Sequence, residues 1–260
     1  METLPPLPKA RLRLLLRFHH RRHRDQERLF LAEGIRTVRE LLGSAYQVQL
    51  LICTERCAQE HADLLRAFHQ RGVPCFSLSE RDFVRLADTT TPQGLLAVVA
   101  YPDYELEHVL DGGSSWIALD GISDPGNAGT IVRTALWFGY RAIALGAGSV
   151  DRFQPKFVRA TMGALFHLRI VEVALETLLD RVRTTHRIIG ATARDGIALT
   201  QYVPPAVPHV LVIGSEAHGL SPSVEERLDD RVTIEGSGAF DSLNAAVAAG
   251  IVMYHLHSRA

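Results

Sequence analysis

The sequence predicts an α/β protein, a mostly parallel sheet wrapped by helices, preceded by a smaller N-terminal α/β unit. Three observations lead there. Apolar runs of strand length recur along the chain, and helical stretches separate most of them, the pattern of strands joined by crossover helices. The pattern lapses once, between Tyr101 and Ser115, where Pro102 and several acids precede Asp111-Gly112-Gly113-Ser114-Ser115, a linker composition. And 47% of the 260 residues are apolar, enough for two modest cores. The expected organisation is a first domain over 1–101, a linker over 102–115 and a second domain over 116–260.

In the first domain Leu12, Leu15, Leu16 and Phe18 fall on one side of a helix whose other side is basic. Gly34 to Leu42 repeats the helical spacing through Ile35, Val38, Leu41 and Leu42. Val48–Cys53 reads as a strand, His61–Arg71 as a helix stopped by Gly72 and Pro74, and Leu95–Ala100 as a buried strand. In the second domain strands are expected near Trp116–Leu119, Ala142–Leu145, Leu168–Val173, Arg187–Ala191, Val210–Ile213 and Val232–Ile234, with a long closing helix from Ser242 to His257. In such sheets the ligand site lies beyond the carboxyl ends of the strands.

The whole chain has a formal charge of −1, which argues neither for nor against a polyanionic partner. The distribution says more. From Lys9 to Arg28 eight Lys or Arg face only Asp25 and Glu27, with three His interleaved. Arg21, Arg22, Arg24 and Arg28 are the candidates there for phosphate contacts; a solvated helix face is the plain alternative. Three cysteines, Cys53, Cys57 and Cys75, suit a reducing compartment better than a disulfide framework, and their spacing is not that of a zinc site. No apolar run approaches the roughly 20 residues that span a membrane. Met1–Pro8 lacks the apolar core of a secretory signal, so a cytosolic protein is expected.

Three clusters, each just after an expected strand, carry chemistry. The first runs from Asp120 through Asp124-Pro125-Gly126-Asn127-Ala128-Gly129 to Arg133. A helix start near Asn127 or Gly129 would offer free N–H groups to an anion, with Arg133 one turn further in; a plain turn capped by Asn127 is the bland reading. The second, Gly214-Ser215-Glu216-Ala217-His218-Gly219, combines a glycine that permits close backbone approach with a strand-end carboxylate. The third leads from Ile234 through a glycine-loosened loop to Asp241-Ser242-Leu243-Asn244 and a helix of small residues. No GxGxxG fingerprint occurs, which removes a nucleotide-dependent oxidoreductase.

Together the clusters resemble the SpoU/TrmH family of RNA 2′-O-methyltransferases, of the SPOUT class. Its motifs Asp-Pro-x-Asn-x-Gly with a later Arg, Gly-x-Glu-x-x-Gly, and Ser-Leu-Asn fall at Asp124 to Arg133, at Gly214, Glu216 and Gly219, and at Ser242, Leu243 and Asn244, in order over roughly 115–257. Where many relatives read Ile-Pro-Met, this chain has Ile234-Glu235-Gly236. The stretches Arg24–Gly34 and Thr91-Pro92-Gln93-Gly94 resemble the family's ribosomal-protein-like substrate-binding domain, found in its ribosomal RNA branch.

The resemblance implies a sheet closed by a trefoil knot, a homodimer packed through the knotted domain, and S-adenosylmethionine as methyl donor to a ribose 2′-hydroxyl of 23S-type ribosomal RNA, without a metal. It implies that Arg133 binds the substrate phosphate and stabilises the developing alkoxide. Asn127 and Asn244 would orient Arg133 and the substrate, Glu216 would hold the site or contact Arg133, and Ser242 would support the loop. Gly214, Gly219, Ile234 and Leu243, with Thr192, would hold the cofactor. The alternatives are a catalytically silent RNA-binding or ribosome assembly factor of the same fold, or a tRNA 2′-O-methyltransferase.

Overall fold

The computed structural model describes residues 4–102, 106, 113–237 and 242–258. The chain forms two compact units: Met1–Asp103 with Phe153–Phe166, and Tyr104–Arg152 with His167–Ala260. Most of the expected linker lies outside the described residues.

The first unit holds a four-stranded sheet of β1 (Leu29–Glu33), β2 (Val48–Cys53), β3 (Cys75–Ser77) and β4 (Leu95–Ala100), in the order β1-β4-β2-β3. β4 runs antiparallel to both neighbours, and β2 and β3 are parallel. The basic segment folds as a helix, Lys9–Leu15, a 3₁₀ turn, Leu16–His19, and a second helix, Arg21–Glu27. Leu12, Leu15 and Phe18 are buried, as their spacing requires, while Leu16 is half-buried. The strands at Leu29–Glu33 and Cys75–Ser77 and the helix Glu80–Leu86 had no clear periodic signal. β3 has only three residues, too few to show alternation.

The two stretches that resemble a substrate-binding domain meet in this unit. Glu33 is buried at the end of β1, where its carboxylate accepts from the Asp88 amide at 2.8 Å and the Thr89 hydroxyl at 2.5 Å. Gln93 Oε1 accepts from the Ile35 amide at 3.0 Å. Gly94 is required there: φ is +79°, and an added Cβ would lie 2.5 Å from Thr54 Oγ1.

A piece of the later sequence belongs to this unit, which a contiguous domain over 116–260 does not anticipate. Phe153 stacks on Phe30 with ring centroids 4.4 Å apart, Phe166 packs on Tyr46 at 5.2 Å, and Arg159 pairs with Asp88. The Phe153–Phe30 and Phe166–Tyr46 partners are 123 and 120 positions apart in the chain, so no local pattern betrays the arrangement.

The second unit is built on a seven-stranded sheet: β5 (Trp116–Asp120), β6 (Ala142–Leu145), β7 (Arg169–Glu172), β8 (Arg187–Thr192), β9 (Ile197–Ala198), β10 (His209–Gly214) and β11 (Asp230–Thr233). Every pairing is parallel, in the order β7-β6-β5-β10-β8-β11-β9. The apolar runs expected as strands fall on β5, β6, β7, β8, β10 and β11; β9, two residues long, was not foreseen. A core of Trp116, Ala118, Leu178, Ile188, Val210 and Val212, among others, fills one face. At the amino ends of the strands, Tyr140 Oη lies 2.8 Å from His209 Nε2, and Ser115 Oγ 3.2 Å from His209 Nδ1. Burial lowers the His209 pKa to about 4.

Two helices face each other on this unit, Pro125–Trp137 and Ala245–Ser258. Small residues on both, including Ala128, Gly129, Ala246 and Ala249, are buried and permit close packing. The Ala245 start is three residues later than expected because Asn244 caps the helix, its Oδ1 accepting from the Ala246 and Val247 amides.

Candidate active site

The first cluster begins where β5 ends. Asp124, not Asn127, caps the following helix: its Oδ1 accepts from the Asn127 amide at 2.8 Å, and Pro125 occupies the first turn. This frees the Asn127 side chain. It also moves Arg133 to more than two turns into the helix, beyond the one turn the sequence suggested. Gly126, Thr130, Arg133 and Trp137 form one exposed stripe at helical spacing.

The second cluster follows β10, between β5 and β8 in the sheet. Gly214 does need its missing side chain, but for an internal reason. An added Cβ would lie 2.3 Å from the Gly219 carbonyl carbon and 2.5 Å from the Leu220 amide nitrogen. The loop closes on itself here, with Ser215 and Gly219 exchanging backbone hydrogen bonds of 3.0 and 2.9 Å. Gly219 has φ +69°, the turn geometry that brings the chain back.

Glu216, at the tip of this loop, joins the three clusters. Its Oε1 accepts from Asn127 Nδ2 at 2.9 Å, from Asn244 Nδ2 at 2.8 Å and from the Ala245 amide at 3.1 Å. Asn244 Nδ2 also donates to Asn127 Oδ1 at 3.0 Å. A carboxylate at the start of the Ala245–Ser258 helix is favoured by the free N–H groups there. A further tie runs from the Ser221 amide to Asp120 Oδ2 at 2.6 Å and draws the first two clusters together. Sequence reasoning passed over that pair, although Asp120 stands at a strand end, the place to look.

Arg133 is not part of this network. It is exposed and makes no hydrogen bond or ion pair among the described residues. The contact between Glu216 and Arg133 that the resemblance allowed is absent among the described residues; Glu216 Oε1 instead holds Asn127 and Asn244.

Beside the network, beyond the carboxyl ends of β8, β10 and β11, opens a cavity of about 1210 Å³. Gly214, Gly219, Ile234, Leu243 and Thr192 line it, and so do Glu216 and Ser242; Asn127, Arg133 and Asn244 do not. Ile213, Leu220, Ile234, Leu243 and Val252 give it apolar walls. Arg194, Asp195, Glu225 and Arg231 add charge that the sequence reading did not single out, and Glu235, noted there as a departure from the family motif, lines the cavity too. Arg194 and Asp195 follow β8 directly, so the strand-end rule could have flagged them. Apolar walls beside a few hydroxyls, those of Thr192, Ser215, Thr233 and Ser242 among them, suit a nucleoside. Asp241 and the preceding Gly238–Phe240 lie outside the described residues.

Of the expected phosphate contacts, Arg21, Arg22 and Arg28 are exposed and Arg24 is not. Arg24 is 1% exposed, and its Nη1 donates to the Phe18 carbonyl at 2.5 Å. It is a strut within the basic segment and is withdrawn as an RNA ligand. Arg21 pairs with Asp25 at 3.3 Å, and the Arg28 guanidinium lies 5.6 Å from the Tyr101 ring centroid.

Residues 114–254, which hold all three clusters, match the model of the SpoU rRNA Methylase family. The chain belongs to that family. Residues 9–97 match the MRM3-like substrate binding domain. The chain is 32% identical to the 23S rRNA (guanosine(2553)-2′-O)-methyltransferase RlmP of Bacillus subtilis, over 92% of this chain and 93% of that protein. Its fold matches a TrmH-family structure from Porphyromonas gingivalis with TM-score 0.85 and 36% identity, covering 98% and 99% of the two chains. It also matches the SpoU methyltransferase AviRb of Streptomyces viridochromogenes, solved with the cofactor AdoMet, with TM-score 0.84 and 25% identity over 96% and 98%.

Proposed function

We propose that the protein transfers a methyl group from S-adenosylmethionine to a ribose 2′-hydroxyl of 23S-type ribosomal RNA. One observation carries the reading: Glu216 gathers Asn127, Asn244 and a helix start at the mouth of a cavity roomy enough for a nucleoside cofactor. Family membership and the similarity to RlmP support the reaction and the RNA class.

When bound, the cofactor supplies an electrophilic methyl group. The chain must then align a poor nucleophile and help its proton leave. Arg133 grips the phosphate beside the target ribose and stabilises the developing alkoxide, a role for a planar cation whose pKa rules out ordinary general-base work. Glu216 fixes Asn127 and Asn244, which orient the substrate. Thr192, Ile234, Leu243 and the Gly214–Gly219 loop hold the adenosyl group, and Ser242 supports the loop beside it.

Residues 1–101 present RNA through Arg21, Arg22 and Arg28, and 116–260 carry out the transfer, with Phe153–Phe166 packed in the first unit. The protein acts in the cytoplasm; no helix among the described residues is long and apolar enough to cross a membrane. Two copies pair through the helices that follow the first and third clusters. Trp137 is 83% exposed there, and Val247, Ile251 and Tyr254 stand open beside it, an apolar area that a lone chain would leave wet. Arg133 shares the Trp137 stripe and so lies at the seam of such a dimer. The test is methyl transfer to protein-free 23S RNA, followed by nucleoside analysis for a 2′-O-methyl product. Binding without transfer would favour the assembly-factor alternative.

A further inference from the structure

The cavity holds a carboxylate that the network at its mouth does not use. Glu235 follows β11 and lines the cavity, and its Oε2 accepts the Thr200 hydroxyl from just beyond β9. That contact orients the group and leaves Oε1 without a partner among the described residues. An ionised carboxylate only accepts hydrogen bonds, so its occupant must bring donors. Glu216 Oε1 already takes three donors from the network, which ties that carboxylate to the mouth of the cavity, whereas Glu235 stands apart from the network beside Ile234.

We propose that Glu235 binds the ribose hydroxyls of the adenosyl cofactor and thereby sets nucleoside recognition; this rests on the cofactor reading above. The reacting sulfur must face the Glu216 end, where Asn127 and Asn244 converge beyond β10. β11 lies two strand spacings from β10, about 10 Å away, which sets Glu235 apart from that end and on the side of the attached adenosine. Ile234, next to Glu235 in the chain, and Leu243 supply apolar walls for the adenine ring, which places its sugar beside the acid. Among the described residues, a Cβ added to Gly236 would meet nothing within 4 Å, so Glu235 has open space beside it. A strand-end acid accepting from ribose hydroxyls is a recurrent solution in parallel α/β sheets.

The test is calorimetry on the full-length protein with S-adenosylhomocysteine, 5′-methylthioadenosine, and the 2′-deoxy and 3′-deoxy forms of the latter, beside thermal melting. Glu235→Ala weakens the first two ligands alike, by about tenfold or more, and Glu235→Gln recovers part of the loss by keeping an acceptor oxygen. Removing a ribose hydroxyl weakens binding to wild type but adds nothing to Glu235→Ala. Unchanged affinities overturn the proposal. So does loss of S-adenosylhomocysteine affinity with 5′-methylthioadenosine spared, which would place the carboxylate on the amino-acid end. If the variants do not fold, the deoxy ligands on wild type decide, and equal affinity for all three nucleosides overturns it. A wild-type protein that binds none of these ligands instead removes the cofactor reading itself.

Discussion

Removing the Glu216 carboxylate isolates the contribution of the three-cluster network. Glu216→Ala deletes three hydrogen bonds to one charged oxygen, from Asn127 Nδ2, Asn244 Nδ2 and the Ala245 amide. Hydrogen bonds to a buried charge contribute about 1.5–3 kcal/mol each, but Glu216 is exposed and water replaces part of each loss. The expected destabilisation is about 1–2 kcal/mol in total, a fall in Tm of roughly 2–8 °C for a domain of this size. The effect on turnover is larger, because Asn127 and Asn244 lose their common anchor and a misplacement of about 1 Å can cost a hundredfold. Glu216→Gln keeps an acceptor oxygen and loses the charge, so it should fall between Ala and wild type in both quantities. Single-turnover methyl transfer and chemical denaturation are measured on the same preparations. A folded Glu216→Ala protein with wild-type single-turnover rate would refute the argument that this carboxylate organises the site. A Gln variant as damaged in turnover as Ala, at wild-type stability, would mean that the charge itself acts on the substrate.

Other expectations follow from particular contacts. Arg133→Ala should lower turnover by roughly a hundredfold or more while sparing cofactor affinity and Tm, and Arg133→Lys should recover little, since a point charge cannot reproduce the two-pronged grip; a folded Ala variant with near-normal turnover removes Arg133 from the mechanism. Gly214→Val forces a side chain into the Gly219 backbone and should abolish S-adenosylhomocysteine binding in calorimetry, together with a lower Tm. Arg22→Ala should weaken RNA binding and flatten its salt slope by about one, whereas Arg24→Ala should lower stability, since it strips a buried strut. His209 has a native pKa of about 4, below its ordinary 6.5, so the folded state resists the proton that the unfolded chain accepts. Its stability contribution is therefore present above pH 6.5 and lost as pH falls towards 4, by up to about 3 kcal/mol; denaturation of His209→Gln across that range should show a flatter pH dependence.

Much of this was legible in the chain because its signals are local. The buried parallel strands announce themselves as apolar runs, since helices cover both faces of such a sheet and no alternation is needed. The segments that carry Asn127, Gly214 to Glu216 and Ser242 to Asn244 each begin at or just after the last residue of a strand, at Asp120, Gly214 and Ile234, which marks them as site material. What the chain conceals is pairwise and distant. Glu216 meets Asn127 across 89 positions, so neither residue alone reveals that the two orient each other and leave Arg133 outside. Arg24 looks like its basic neighbours, and only the fold of the Phe18 turn shows that it points inward. Phe153–Phe166 joins the first unit through rings whose partners, Phe30 and Tyr46, lie over a hundred residues upstream. Glu235 gains meaning only when β9 brings Thr200 beside it.

Ribose-methylation mapping of ribosomal RNA tests the central claim most directly, in cells that carry the gene, lack it, or carry Arg133→Ala. Deletion should erase one 2′-O-methyl mark in 23S-type RNA, wild type should restore it, and Arg133→Ala should not. Unchanged ribose methylation on deletion, or a mark that moves to a base or to tRNA, would contradict the account.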